Sequence, residues 1–334
     1  MSSLLRASHL LTEVAVPHPV ANPIIANLSQ GLTERSLFHQ PWWLDITAGN
    51  RWGVVEVANG NEVIAEMPYM LHRKGPWLLS TQPPLTRTLG PIIKTPTMSC
   101  DQERRYSLTD ELISKLPRCA LFQQTFDTRI GDAAAFSNHH FSVSMSFTLT
   151  IPPERDEKEI WAHMRANTRN VIRRAEKRVM VTEIATASEF VDFYDANLIH
   201  RKLHNVYGSQ LMRRLIDEAM RRKAGIMLGA LADGKTLSAA VTLVWDHSTL
   251  YYLLSTRSAQ APSGCVALLI WRAIKFARER NLLFDFDGIA NSQVLTFLSG
   301  FGGTPAQRLM VERCRLDYAA LRAMRDYARC KCRI

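Results

Sequence analysis

The 334-residue sequence has no run of the roughly 18 consecutive apolar residues that a membrane-crossing helix requires. Its opening, MSSLLRASHLLTEVAVPHP, offers only short apolar pieces interrupted by Arg6 and His9, which is not a secretory pattern. Six cysteines occur, and none stands at metal-ligand spacing apart from Cys330-Lys331-Cys332. Without a second pair or a nearby histidine that tail reads as reduced thiols, so no metal is expected. There is no low-complexity segment, no HExxH pattern and no nucleophile elbow. These absences exclude a spanning protein, a metalloprotease and a serine-type hydrolase. They leave a globular cytoplasmic protein that meets a membrane at most peripherally, at its inner face.

Charge is plentiful but unevenly placed. Residues 1–155 carry 13 Lys and Arg against 13 Asp and Glu; residues 156–334 carry 28 against 18, which is the whole net charge of +10. An anionic partner for the second half fits this asymmetry, as does a basic surface kept for solubility.

The hydrophobic pattern alternates helices with antiparallel strands. RWGVVEV, the turn ANGNE and VIAEMPYML read as a meander, with Pro68 marking an edge or a bulge. Residues 101–116 read as a helix, CALFQQTF and FSVSMSFTLTI as strands. Pro152-Pro153 is the expected domain boundary, giving domains 1–152 and 153–334. The second half then runs as a helix over 156–178, the strand RVMVTEIA, helices near 187–203 and 208–223, and three strands. The helix GCVALLIWRAIKFARERN and the strand LLFDFDG close the pattern. The order predicts an α+β chain built as two tandem domains of similar plan, with mixed, mostly antiparallel sheets flanked by helices.

Four stretches could carry chemistry. On the 156–178 helix, Met164, Thr168, Val171, Ile172 and Ala175 share one side, while Arg169, Asn170, Arg173, Arg174 and Lys177 take the other. Such a row is either a solvated face or a holder of phosphate or carboxylate. His200 and His204 stand four apart on a predicted helix, with Tyr207 following; a base or hydrogen-bonding role competes with simple surface histidines. The strand carrying Tyr252 ends at Arg257, and Gly264 precedes an apolar helix whose N–H groups could hold an anion or simply be capped. Finally, Asp285 and Asp287 alternate with Phe284 and Phe286. On a strand, phenylalanines in the core place both carboxylates on the opposite surface, as a general base or as partners of an arginine or a helix cap.

Several of these stretches resemble one family. HMRANTRNVIRRAEKRVMVTE is similar to the R-x-N-x-R-R-x-I-R-R-A-x-K helix and strand of Fem-type proteins, which have the acetyltransferase-like GNAT fold. APSGCVALLIWRAIKFARERNLLFDFDG resembles their Pro-Gly helix and D-F-x-G strand, and TFLSGFGGTP their F-K-x-x-F-G-G ending. FHQPWWLDI and PPLTRTLGP resemble their N-terminal domain, so that the likeness spans residues 36–310. It implies two GNAT-like domains and acyl or aminoacyl transfer to an amine or hydroxyl of a cell-envelope or polysaccharide precursor. The implied donor is acyl-CoA or aminoacyl-tRNA, and the acceptor a small, saccharide or lipid-linked molecule. The implied site residues are Arg165, Arg169, Arg173, Arg174, Asp285, Gly288, Gly302 and Gly303. One position departs: Leu298 follows Phe297 where the family often has Lys. No coiled-coil insertion separates the helices, and both departures favour a small thioester donor over tRNA. The competing class is a GNAT-like module that binds RNA or another anion without catalysis.

Overall fold

The computed structural model describes residues 31–94, 102–289 and 291–331, with no side-chain description after Tyr327. The N-terminal segment, Cys100 and the Cys330-Lys331-Cys332 tail motif therefore lie outside the described residues or side chains. The strands are β1 (Trp52–Asn59), β2 (Glu62–Lys74), β3 (Trp77–Ser80), β4 (Ile92–Ile93), β5 (Leu121–Thr125), β6 (Ser142–Ile151), β7 (Val179–Glu183), β8 (Gly225–Ala232), β9 (Thr236–Trp245), β10 (Thr249–Arg257), β11 (Leu283–Asp285) and β12 (Thr304–Cys314). The helices are α1 (Pro41–Thr47), α2 (Gln102–Ser114), α3 (Ala134–Asn138), α4 (Glu157–His163), α5 (Ala166–Glu176), α6 (Ala187–His200), α7 (Ser209–Arg221), α8 (Cys265–Glu279), α9 (Ser292–Leu298) and α10 (Leu316–Lys331).

One twelve-stranded sheet runs through the molecule in the order β1-β2-β3-β5-β12-β6-β11-β10-β9-β8-β7, with β4 beside β2. The α+β plan is the expected one, but the two sheets are merged. Each half contributes a meander and one parallel pair, β3–β5 and β10–β11. At the junction the halves exchange their last strands: β12 inserts between β5 and β6, and β6 lies between β12 and β11. The sheet is thus continuous across Pro152-Pro153. Pro68 falls between the β4 and β3 ladders on one edge of β2, where its missing N–H interrupts neither.

Strand alternation assigns the cores. Leu149, Ile151, Phe284 and Phe286 face α5 and α8, where Ile172, Ala175, Leu268 and Trp271 complete an apolar cluster. On the same side of the other half, Phe122 and Val311 face α2 and α3. The opposite side of the second half packs Tyr251, Leu253 and Ala240 against α6 and α7. Leu37, Phe38, Trp43 and Leu85, from the first half, join that cluster. Trp43 anchors the connection by donating its Nε1–H to Thr86 Oγ1 at 3.0 Å.

Polar contacts stitch the halves together as well. The Arg129 guanidinium grips Asp127 through two bonds of 2.8 and 3.1 Å and donates to Ser248 Oγ in the β9–β10 turn. Asp246 in that turn accepts from Leu37 N at 2.8 Å. Burial opposes the Asp127 charge, yet Arg129 holds its carboxyl down at about 2. His39 is buried between Ser36 Oγ, 2.7 Å from Nδ1, and the Gly90 carbonyl, 3.3 Å from Nε2. Burial lowers its pKa from 6.5 to about 4. A His whose folded pKa is depressed contributes stability above the unfolded value that is lost as pH falls through the folded one. The unfolding free energy is therefore expected to drop by roughly 3 kcal/mol between pH 7 and pH 4 on account of His39 alone. Urea titrations across that window check this, and His39→Gln should flatten the slope.

Candidate functional site

The site forms where the exchanged strands meet, because alternation directs several polar side chains to one face there. On β6 and β12, Thr148, Thr150 and Arg308 share a face; Asp285 on β11 pairs opposite Thr150 and joins them. Arg308 donates from one terminal nitrogen to Asp285 Oδ2 at 2.7 Å and from the other to Asp287 Oδ1 at 3.2 Å. Thr148 Oγ1 donates to Asp285 Oδ1 at 2.5 Å, and the Asp287 N–H to the same oxygen at 2.8 Å. The remaining Asp287 oxygen lies 2.5 Å from Arg87 Nε, in contact but off the line of the N–H bond. Arg87 continues to the Leu253 carbonyl at 2.9 Å, and Tyr207 lies near enough to help hold its charge. The chain of groups Asp285, Arg308, Asp287, Arg87, Tyr207 thus crosses from the buried sheet to a half-exposed phenol.

The expected surface pair of carboxylates does not form. Phe284 and Phe286 enter the core as predicted, but both aspartates are buried too, because β12 and the Pro-rich loop 81–91 cover their face. Strand β11 also stops at Asp285; Asp287 adopts φ 47° and Gly288 φ 92°, turning the chain out of the sheet. A side chain at Gly288 would meet nothing within 4 Å, so conformation rather than space calls for glycine there. Burial pushes the Asp287 carboxyl up, against the pull of Arg87 and Arg308 and with help from Asp285. Both arginines stay charged: burial works against them, but the aspartates raise their pKa values. Tyr251, opposite Asp285 in the β10–β11 register, faces the same cluster, and burial raises its pKa well above 10.

A second feature lies on the other side of the sheet. The helix expected over 156–178 breaks at Met164-Arg165, which are extended with ψ 145° and 142°. The Gly-Phe-Gly-Gly stretch buttresses the break. Arg165 N donates to the Gly300 carbonyl at 2.9 Å, and a Cβ on Gly302 would press on the His163 carbonyl at 2.9 Å. Gly303 is similarly close, with Phe286 3.1 Å from where its Cβ would stand. Gly264, with φ 90°, backs onto the Val171 carbonyl in the same way, so α5 and α8 approach closely. A groove of about 430 Å³ opens beside them, lined by Arg165, Asn167 and Thr168 of the α5 start, Ala267 of α8, and Ser292, Gln293, Thr296 and Phe297 of α9.

Three of the four helix arginines make internal contacts. Arg165 donates to the Thr296 carbonyl, Arg169 caps the carbonyls of Trp161, Ala162 and Met164, and Arg173 lies 5.3 Å over the Trp161 ring. Arg174 and Lys177 are exposed. Helix α6 ends at His200, with Lys202 at φ 57°, so His200 and His204 do not share a helix face; both are exposed. Tyr252 points away from Tyr251 and packs on the α5–α8 core, where burial raises its pKa to about 12. Arg257 is exposed at the end of β10, its carbonyl taken by Arg201. Leu298 is buried with Phe286 and Phe301 in an apolar cluster, so the family lysine has no polar surroundings at this position.

Of the predicted residues the fold therefore joins Asp285 and Asp287 with Tyr207, and Arg165 with the groove. Arg308, Arg87, Thr148 and Tyr251 were not singled out. The signal for Arg308 is a lone cation on the alternating strand AQRLMVE; Arg87 lies in PPLTRTLGP, where no periodicity marks it. Arg308→Ala leaves two buried carboxylates without their shared cation, and a loss of about 3–5 kcal/mol is expected in urea unfolding. Arg308→Lys should recover little, since one ammonium cannot reproduce the two-pronged contact.

Residues 162–293 match the family described as the acetyltransferase (GNAT) domain. The crystal structure of FemX superposes with a TM-score of 0.65 at 11% identity, covering 85% of this chain and 94% of that one. The C-terminal domain of a putative lysylphosphatidylglycerol synthetase from Agrobacterium fabrum gives 0.51 at 15% identity, covering 82% and 87%. L-PGS from Bacillus licheniformis gives 0.51 at 11%, covering 82% and 88%. No curated protein matches the sequence.

Proposed function

The chain is a GNAT-fold protein of Fem-like architecture, and from that premise we propose that it moves an acyl or aminoacyl group from a thioester or ester donor to an amine or hydroxyl. The acceptor we infer is a cell-envelope or polysaccharide precursor. The observation that carries this reading is the opening between β6 and β10. Strand β11 pairs with β10 only from Thr249 to Tyr251, so β10 from Tyr252 to Arg257 has no strand on that side. The opening separates the Arg165 groove on one face from Tyr207 on the other.

The donor is placed in the groove. Arg165 and the hydroxyls of Thr168 and Ser292 form a donor set suited to phosphate oxygens, as in the diphosphate of acyl-CoA. Its reactive carbonyl would pass into the opening, where the free edge of β10 can offer N–H groups to the oxyanion. The acceptor would sit on the Tyr207 side and attack the carbonyl directly, expelling the thiolate or ester oxygen with no covalent enzyme intermediate. Tyr207 is the group in position to hydrogen-bond the acceptor. Asp287 and Asp285, with side chains at most 3% exposed, act through Arg87 as positioning residues. They are not themselves the groups that touch substrate.

An aminoacyl-tRNA donor is the second reading. The +10 of residues 156–334 favours it, as do the names of neighbours that describe an aminoacylated lipid. The test is a thermal-shift screen of acetyl-CoA, longer acyl-CoAs and bulk aminoacyl-tRNA, because a ligand of the folded state must raise its melting temperature. A shift with thioesters supports the first reading; a shift only with aminoacyl-tRNA, steeply lost with salt, supports the second. With the donor in hand, Tyr207→Phe should lower transfer about tenfold or more without changing the melting temperature. Asp287→Asn should lower both. Full activity in Tyr207→Phe together with Asp287→Asn would remove this assignment of roles.

A further inference from the structure

Helix α10 carries an apolar stripe that faces outward. At 100° per residue Leu316, Ala320, Ala323 and Met324 fall within an arc of about 100°. Leu316 is 90% exposed and Met324 71%. The other side of the helix is tied down. Tyr318 is buried against Trp77 of β3, 5.5 Å between ring centroids, and Arg322 donates to Glu312 of β12 at 2.8 Å. From Arg315 to Lys331 the sequence has five Lys and Arg against two Asp, and with Glu312, the partner of Arg322, an excess of two positive charges remains. A helix held to the sheet by one face, with a bare apolar stripe on another and a cationic excess, has the form of an element that lies in a membrane interface.

Its position on the fold adds a second argument. Arg308 and Glu312 lie on the same face of β12, four residues and about 13 Å apart. Arg308 holds the aspartate cluster and Glu312 holds α10. The helix therefore stands on the Tyr207 side of the sheet, the side assigned to the acceptor.

We propose that α10 docks the protein on an anionic lipid bilayer and so presents the acceptor side of the site to lipid-borne substrates. The apolar stripe supplies burial in the acyl boundary and the cations supply attraction to anionic headgroups. The link to lipid-borne acceptors rests on the transfer reading; the docking does not.

Co-sedimentation of the full chain with vesicles tests it. Binding is expected to equimolar phosphatidylglycerol and phosphatidylcholine, with little to phosphatidylcholine alone. The double variant Leu316→Glu with Met324→Glu should weaken binding about tenfold or more at unchanged melting temperature, since neither side chain is in the core. Arg325→Glu, which leaves the stripe intact, should release the protein at lower salt. Absence of binding by the unaltered chain, or equal binding by the double variant, overturns the proposal. So does a change from dimer to monomer in the double variant on size-exclusion chromatography, which would make the stripe a contact between copies. Vesicle binding together with no donor-induced thermal shift would sink the transfer reading and leave the docking standing.

Discussion

The shared grip of Arg308 on Asp285 and Asp287 is the interaction on which the junction depends. Arg308 arrives on β12, the last strand in chain order, while Asp285 ends β11, Asp287 follows in the turn after it and Thr148 sits on β6. Four polar groups from three strands can share a buried face only if the halves exchange strands in this order. Two carboxylates there without a cation would oppose folding by several kcal/mol, and an unpaired guanidinium would do the same. The charge cluster therefore makes the exchanged register far more favourable than a neighbouring one. A slip of one residue along β12 would turn Arg308 into the apolar side and bring Gln307 or Leu309 to the cluster instead.

The cluster also explains why the two halves behave as one site. Arg87 comes from the Pro-rich loop of the first half, takes the free oxygen of Asp287, and reaches the unpaired edge of β10 at Leu253. Trp43, packed in the α6–α7 core, reinforces the same seam, and the bonds from Arg129 to Ser248 and from Leu37 N to Asp246 cross from the first half to the β9–β10 turn. The opening beside β11 is thus framed on all sides by fixed elements. In the transfer reading proposed above, this frame would orient the two bound molecules, and orientation of the reactants supplies much of the rate.

On the opposite face a different device does comparable work. Gly300, Gly302 and Gly264 let a turn and two helices approach at distances that any side chain would prevent. The break at Met164-Arg165 follows from this contact, since Arg165 N gives its bond to Gly300 rather than to the preceding helix. That break swings Arg165 to the mouth of the groove and leaves Arg169 to satisfy the carbonyls at the end of α4. The basic row read from helical periodicity is therefore divided by the fold into two structural residues, Arg169 and Arg173, and two solvated ones, Arg174 and Lys177, while Arg165 stands apart at the groove.

The sequence by itself determined most of the elements, their order and the family likeness, but not the break in the helix at Met164-Arg165 or the end of β11 at Asp285. Alternation in FSVSMSFTLTI and LLFDFDG, the helical stripe of Ile172 and Ala175, and the Gly-Phe-Gly-Gly ending are local patterns, and local physics reads them. It also placed the phenylalanines in the core. Only the tertiary structure decided that the aspartates are buried, because their cover is a strand 20 residues later and a loop some 200 residues earlier. It alone decided that Tyr207 rather than His204 joins them, that Tyr251 rather than Tyr252 faces the charge, and that Leu298 lies in an apolar pocket. The physical reason is common to all four. Which face of a strand or loop becomes interior is set by what packs against it, and those partners stand far away in the sequence or across a turn that local pattern does not reveal.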